Sequence, residues 1–455
     1  MKGVRSRRIG FLCLSLLTAL LLGMVLSIAN VQLGRIDGRV ELEKEGIAAS
    51  VKPYLSLRVR SPDGTVLHER SEPAHSATVW LARLLALHLG AQYIQGAAPY
   101  AVRGHHTFAW PYTAATTPGT YMYYGLDNGI SGSSGSVYYQ PFTLYIAAGK
   151  SPYASFDPTV SFLAPAAGYR FEAAPATMAQ YSNTTHAWVV LAATISVSSN
   201  LAVEDVAIYL WPNLINLPSY QFCNAPRDVT GYCSTPVQPL ATLIWWDKIA
   251  PLTVPAGGSL DVSYAFYASF PGGGNLLSFV FGLLHTPRSA ENLIIVDVSS
   301  STYTNHFPEF HLAYTTTVAP TTRYLWPAVR LVWGTGSAPS TGPWSPPSLA
   351  TKVGEADAAV SVGVDPASGA MTLTFTAVVS NTGTAPLTIT EVGIQLGGVP
   401  AGGGVGELCL RPAGVTSLTC PNNGKAVLLA YLPVSITIDP GKAVQLVVKI
   451  RVSAA

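Results

Sequence analysis

The chain has 455 residues, of which 49% are hydrophobic and only 11% are charged, and its formal net charge is +2. A chain of this length and hydrophobicity can bury the cores of two or three domains, which excludes a wholly disordered protein. Its lysines and arginines are scattered along the sequence, which argues against a nucleic acid partner. The abundance of glycine and proline, 41 and 34 residues, favours β-rich structure with many turns.

Residues 1–35 carry the features of an export signal. The basic stretch "MKGVRSRR" precedes an uncharged run at 9–29. As a helix this run would be about 31 Å long and could cross a bilayer. The positive charges should stay in the cytoplasm, which places everything after Arg35 outside. Ser27 and Ala29 could serve a signal peptidase, whereas the run is longer than that of most removed peptides, so both a secreted and a membrane-anchored protein remain open.

A hairpin and a helix are predicted next along the chain. Pro62, Asp63 and Gly64 lie between two strand-like runs within 54–70, which is typical of a β-hairpin. The segment "SATVWLARLLALHLG" predicts a helix over 76–89, with Ser76 as its N-cap.

An insert at 108–141 is rich in tyrosine, glycine, threonine and proline. Exposed aromatic rings could stack on sugars or on a partner protein, although aromatic pairs are also ordinary packing units of sheets. The candidate ligand-binding residues in this insert are Trp110, Tyr112, Tyr121, Tyr123, Tyr124, Tyr138 and Tyr139.

Two features fit an extracellular location. Four cysteines form two close pairs, and we predict disulfides that join Cys223 to Cys233 and Cys409 to Cys420. Neither pair has the Cys-x2-4-Cys spacing of a zinc site. Asn183 begins the sequence Asn-Thr-Thr, an acceptor site for N-glycosylation.

The sequence also repeats itself. "VEDVAIYL" at 203–210 matches "ITEVGIQL" at 389–396, and the same offset of 186 carries Cys223 onto Cys409. Strands with alternating polarity separated by Gly, Pro and Asn turns are typical of antiparallel sandwiches. We therefore predict a mainly β protein with two tandem antiparallel β-sandwich (Ig-like) modules from an internal duplication, an N-terminal hydrophobic helix and short helices. The first module would span 36–273, with the hairpin, the helix 76–89 and the Tyr-rich insert, and the second would span 274–455.

The last strand of each module is predicted from a Pro/Gly turn followed by alternation. This pattern should bury one side of each strand and leave Asp261 and Gln445 on the solvent side. The residues expected in the two cores are Leu260, Val262, Tyr264 and Phe266 in the first copy, and Val444, Leu446, Val448 and Ile450 in the second.

Three motifs in the second half suggest a family resemblance. "GTGSAP" at 334–339 is followed by "SNTGTAPLTITEVGI" at 380–394 and "LPVSITIDPGKAVQLVVKI" at 432–450. This order resembles a β-sandwich module of tailed-virus structural proteins and of uncharacterised exported archaeal surface proteins. The resemblance implies assembly and surface display without catalytic residues. The export signal favours the cell-surface group over the virion proteins.

No motif predicts catalysis, a cofactor or a metal. A Gly-x-Ser-x-Gly elbow and a phosphate-binding glycine loop are both missing from the sequence. The neighbouring acids Glu204 and Asp205 should point to opposite sides of their strand. His105 and His106, and the set His306, Glu309 and His311, contain metal-ligating residue types, but ordinary polar loop and strand positions explain them better.

The sequence thus predicts a non-enzymatic protein of the cell surface with a structural or adhesive role. Its expected partners are the membrane, through residues 9–29, and further copies of the chain or surface glycans and proteins. One alternative is a glycan- or protein-binding module that uses the insert 108–141. Another is a virus-derived structural subunit.

Overall fold

A computed structural model describes most of the chain outside its N-terminal segment. The described residues are 38–42, 49–74, 76–90, 107–111, 121–125, 142–160, 162–212, 222–223, 242–284, 292–311, 329–338, 342–344, 346, 348–397, 407–412 and 425–453. The predicted N-terminal helix therefore lies outside the described residues. Within them, no helix is long and apolar enough to span a bilayer.

Strands dominate the described residues, which confirms the prediction of a mainly β protein. The two helices are α1 (Val79–Gly90) and α2 (Gly273–Leu284). The strands up to α2 are β1 (Gly38–Leu42), β2 (Ala49–Arg60), β3 (Val66–Pro73), β4 (Thr107–Pro111), β5 (Tyr121–Gly125), β6 (Phe142–Gly149), β7 (Phe171–Pro175), β8 (Thr177–Ser182), β9 (Ala187–Ser196), β10 (Leu201–Pro212), β11 (Phe222–Cys223), β12 (Thr242–Val254) and β13 (Ser259–Ala268). Those after α2 are β14 (Ile294–Val296), β15 (Thr302–Thr304), β16 (His306–His311), β17 (Val329–Gly334), β18 (Lys352–Asp357), β19 (Ala359–Val364), β20 (Met371–Ser380), β21 (Leu387–Gly397), β22 (Glu407–Pro412), β23 (Ala426–Ile438) and β24 (Ala443–Val452).

A nine-stranded sheet joins the first and second halves of the chain. Its main path runs β19-β20-β24-β2-β13-β9-β8, with β1 beside β24 and β3 beside β2. The pairing of β2 with β13 is antiparallel, whereas Ala49 at the start of β2 pairs in parallel with Ile450 of β24. The strand β2 therefore pairs with both β13 and β24, which are the closing strands, that is, the last strands of the first and second predicted modules.

Two four-stranded sheets have matching strand orders. One is β12-β10-β6-β7, and the other, read in the same direction, is β23-β21-β17-β18. In the nine-stranded sheet, β13-β9-β8 of the first half likewise matches β24-β20-β19 of the second. Each half thus contributes the same seven strands in the same order to its sheets.

The core lies on one side of the nine-stranded sheet and continues from one half into the other. In β13, Leu260, Val262, Tyr264 and Phe266 are all buried, as the alternation predicts. Each such side chain contributes about 1.5 to 3 kcal/mol relative to its exposed state. In β24, Leu446, Val448 and Ile450 are buried and Val444 packs against the core from a half-buried position.

The hairpin is confirmed and the start of the first helix is corrected. The strands β2 and β3 flank the turn at 62–64, where Gly64 has a positive φ of 87°. Helix α1 begins at Val79, not Ser76, because the preceding residues extend the edge of β12. The Ser76 carbonyl accepts a hydrogen bond from the Trp246 amide at 3.0 Å, and the Thr78 amide donates to the Ile244 carbonyl at 3.1 Å.

Candidate functional site

Four aromatic side chains lie in a row on the solvent side of the nine-stranded sheet. We call this row the aromatic stripe; its members are Tyr54 of β2, Tyr267 of β13, Trp188 of β9 and Tyr181 of β8. The ring centroids of successive neighbours lie 5.6, 5.6 and 5.8 Å apart. The stripe thus crosses four adjacent strands.

Strand register aligns these rings. Trp188 is the direct cross-strand partner of both Tyr267 and Tyr181, and Tyr54 is diagonal to Tyr267. Trp188 stacks on each partner with interplanar angles of 24° and 28°. Tyr181, on the edge strand, is 50% exposed, so it offers a ring surface to a ligand.

A groove of about 390 Å³ with a mixed polar and apolar lining lies on the same side of the sheet, over β2, β13 and β9. Two ion pairs border it, Arg58 with Glu69 at 2.5 Å and Arg60 with Asp261 at 2.7 Å. The hydrogen bond from Arg58 lowers the pKa of Glu69. Partial burial opposes ionisation of Asp261, but hydrogen bonds from Arg60 and Thr194 outweigh it and lower the pKa of this carboxyl. Charged groups and an aromatic surface together suit a polar ligand such as a saccharide or a peptide.

The predicted insert contributes β4 and β5 to a separate three-stranded sheet, whose third strand is β11 and whose order is β11-β5-β4. Trp110 lies in β4, and Tyr121, Tyr123 and Tyr124 lie in β5. Tyr112, Tyr138 and Tyr139 are outside the described residues.

The cysteine predictions remain predictions. Cys223 lies in β11 opposite Tyr123, and Cys409 lies in β22 opposite Glu309 of β16. Their predicted partners, Cys233 and Cys420, fall outside the described residues.

Asn183 lies in the exposed turn between β8 and β9. Its side-chain oxygen accepts hydrogen bonds from the backbone amides of Thr185 and His186 at 2.9 and 2.8 Å. This Asx-type turn presents the glycosylation sequence two residues after Tyr181. Modification of Asn183 remains a prediction.

Among the residues that the structure describes, no group of three or more potential metal ligands is found. His306 begins β16, and its Nδ1 lies 2.6 Å from the Thr304 carbonyl oxygen. His105 and His106 lie outside the described residues.

Glu204 and Asp205 were predicted to point to opposite sides of their strand, but both contact the same lysine. A register irregularity between Val203 and Asp205 interrupts the regular pairing of β10 with β12. As a result both carboxylates reach one ammonium group: Nζ of Lys248 lies 3.1 Å from Asp205 Oδ1 and 3.8 Å from Glu204 Oε2. A β-bulge of this kind redirects side chains that simple alternation would separate.

Asp205 and Glu391, which the offset of 186 aligns, are both fully buried. Each carboxylate accepts hydrogen bonds from the backbone of a neighbouring loop. Asp205 accepts a hydrogen bond from the Ser151 amide at 2.6 Å. Glu391 accepts from the Ala350 and Thr351 amides at 3.1 and 2.8 Å. In each half the carboxylate therefore satisfies backbone donors of the segment that follows β6 or β17.

Buried tyrosines hold the same two loops. The Leu163 amide donates to the Tyr209 hydroxyl at 2.9 Å, and the Ala338 amide donates to the Tyr431 hydroxyl at 3.1 Å. Burial raises the pKa of both hydroxyls, which keeps them neutral. These polar groups therefore have structural hydrogen-bond partners.

Comparison with known proteins gives no relative from which a function could be transferred. No family model, no curated protein and no solved structure matches the chain.

Proposed function

We propose that this chain is an exported surface protein with a structural or adhesive, non-catalytic role. The observation that supports this best is the repeated strand order of the two halves and their union in one nine-stranded sheet. Such a scaffold holds large solvent-facing strand surfaces in fixed positions, as a structural or adhesive protein requires. The uncharged run at 9–29 would either anchor the chain or be removed on secretion.

The scaffold would consist of two Ig-like β-sandwich modules, 36–273 and 274–455, that arose by duplication. Corresponding strands keep a nearly constant spacing: β9 begins at Ala187 and β20 at Met371, a difference of 184, and β13 and β24 begin at 259 and 443, also 184 apart. A constant spacing between strands of equivalent position supports descent from one ancestral module.

The proposed export of the protein to the cell exterior can be tested on intact cells. Protease added outside should degrade the chain beyond Arg35 while the cytoplasmic proteins survive. Electron microscopy of the isolated protein would then show whether it assembles into filaments, as a structural role predicts. A protected chain recovered from the cytosol would contradict export and with it the surface role.

A virus-derived structural subunit is the related proposal that the motif resemblance supports. It predicts purification of the chain within virus-like particles, whereas the cell-surface proposal predicts recovery with the cell envelope.

A second candidate function is the binding of glycans. The aromatic stripe and the neighbouring charged groove support it, since aromatic rings pack on the apolar faces of sugars and ion pairs offer partners to hydroxyl groups. Binding to a glycan array should fall when Tyr181 is changed to Ala if the stripe is used. It should fall in Tyr123→Ala if the insert 108–141 is used, and unchanged binding in both variants would contradict both surfaces.

A further inference from the structure

One lysine and two carboxylates meet where β10 and β12 pair. Lys248 is the direct cross-strand partner of Asp205, and its Nζ lies 3.1 and 3.2 Å from the two oxygens of that carboxylate. The nitrogen is therefore nearly equidistant from the two oxygens and in direct contact with the carboxyl group. We propose that Lys248 and Asp205 form an intramolecular isopeptide bond, with Glu204 as the proton relay.

The surroundings of Asp205 favour this reaction. The carboxylate is fully buried, and the adjacent Trp246 ring is fully buried as well. The reaction requires transfer of a proton from the ammonium group to the carboxylate, which removes both charges of a pair whose aspartate is fully buried. The neutral amine that results is a nucleophile, and the neutral carboxylic acid is a better electrophile than the carboxylate.

Two hydrogen-bond donors are in place for the intermediate. The indole Nε1 of Trp246 donates to Asp205 Oδ1 at 2.9 Å, and the Ser151 amide donates to Oδ2 at 2.6 Å. Attack of the lysine nitrogen on Cγ would place negative charge on one of these oxygens. Preorganised donors at that position stabilise a tetrahedral intermediate.

Glu204 can complete the proton transfers. Its Oε2 lies 3.8 Å from Lys248 Nζ, and a hydrogen bond from Lys150 lowers its pKa, so it begins as a base. It would take a proton from the attacking nitrogen and return it to the departing oxygen. The C–N bond forms, one C–O bond breaks and one water leaves, so an ammonium and a carboxylate give an amide and water without an oxidant or cofactor.

The second half of the chain provides an internal comparison. Glu391 occupies the position of Asp205 and holds its loop, but its partner in the register is Pro433 of β23. A buried carboxylate can therefore hold the loop without a facing lysine. Lys248 adds a reactive group that loop binding does not require.

Peptide mapping of the full-length chain tests the bond. The chain should be produced in a bacterial cytoplasm, where Asn183 is not glycosylated, and then reduced and alkylated, because a Cys223–Cys233 disulfide would join the same peptides. Trypsin should fail to cleave after Lys248, and the peptide 171–227, which contains Asp205, should be joined to 228–288. The joined species should weigh one water molecule less than the sum of its parts.

Matched variants assign the roles. Lys248→Arg keeps a cation beside Asp205 but cannot form the amide, so the joined species should be lost completely. Glu204→Gln should slow or abolish its formation, whereas Lys352→Arg should retain it, since Lys352 lies in β18 and pairs with Glu355. Recovery of separate, unmodified peptides from the wild-type chain would overturn the proposal, and fragmentation that placed the link on Glu204 would overturn the assignment to Asp205.

Discussion

Asp261 and Arg60 form an ion pair across the pairing of β13 with β2, with Oδ2 of the aspartate 2.7 Å from Nε of the arginine. The other carboxylate oxygen accepts a hydrogen bond from Thr194 of β9 at 2.8 Å. The sequence predicts only that Asp261 faces solvent. The structure gives it two partners on neighbouring strands, so this solvent-side position is constrained.

The Asp261 pair should make stability depend on pH. The folded state lowers the pKa of Asp261, so its contribution is present above the unfolded pKa of about 3.9 and is lost as pH falls through the folded value. Since the pair is partly exposed, Asp261→Asn should cost about 0.5 to 1 kcal/mol at neutral pH and little at about pH 2. Chemical denaturation at both pH values measures this difference, with Ser263→Ala as a control on the same strand side. An equal cost at both pH values would contradict the assignment.

Substitution in the closing strands should unfold both halves together. Val262→Asp in β13 and Leu446→Asp in β24 each bury a carboxylate without a partner, at a cost of about 3 to 5 kcal/mol. Because β2 pairs with both strands and the core is continuous, we expect each substitution to shift one shared transition. Differential scanning calorimetry of the full chain measures this, and Ser263→Asp serves as the solvent-side control. Two separately shifted transitions would indicate independent modules.

The aromatic stripe should stabilise the sheet through Trp188. Trp188→Ala removes stacking with two neighbours and should cost about 1 to 3 kcal/mol. Tyr181→Ala should cost less, because Tyr181 has one stacking partner in the stripe and is half exposed. A double-mutant cycle between Trp188 and Tyr267 should give a coupling of about 0.5 to 1.5 kcal/mol, whereas a cycle between Trp188 and the distant Ser71 should give none. The absence of coupling to Tyr267 would exclude a stacked pair.

The buried carboxylate of Glu391 should be required for the loop after β17. Glu391→Ala leaves the Ala350 and Thr351 amides without this acceptor and should cost about 2 to 4 kcal/mol. Glu391→Gln keeps one acceptor oxygen and should cost less. Amide exchange at Thr351 should accelerate in the alanine variant and remain slow in Thr388→Ala, a control on the exposed side of the same strand. Unchanged exchange in Glu391→Ala would show that another group holds the loop.

The sequence determined the features that depend on local periodicity. Alternation in 259–268 identifies which side of β13 is buried, and the turn at 62–64 identifies the hairpin, because a strand has a side-chain period of two and a tight turn needs particular residues. The aligned segments at 203–210 and 389–396 likewise identify β10 and β21, which occupy equivalent positions in their sheets.

Only the tertiary structure decided which distant residues meet. The four rings of the aromatic stripe come from four strands, and their alignment depends on strand register, which no local pattern specifies. Ser76 lost its predicted capping role because the edge of β12 paired with its backbone. A bulge in β10 brought Glu204 and Asp205 to the same lysine, since pairing between strands can override the alternation of a single strand.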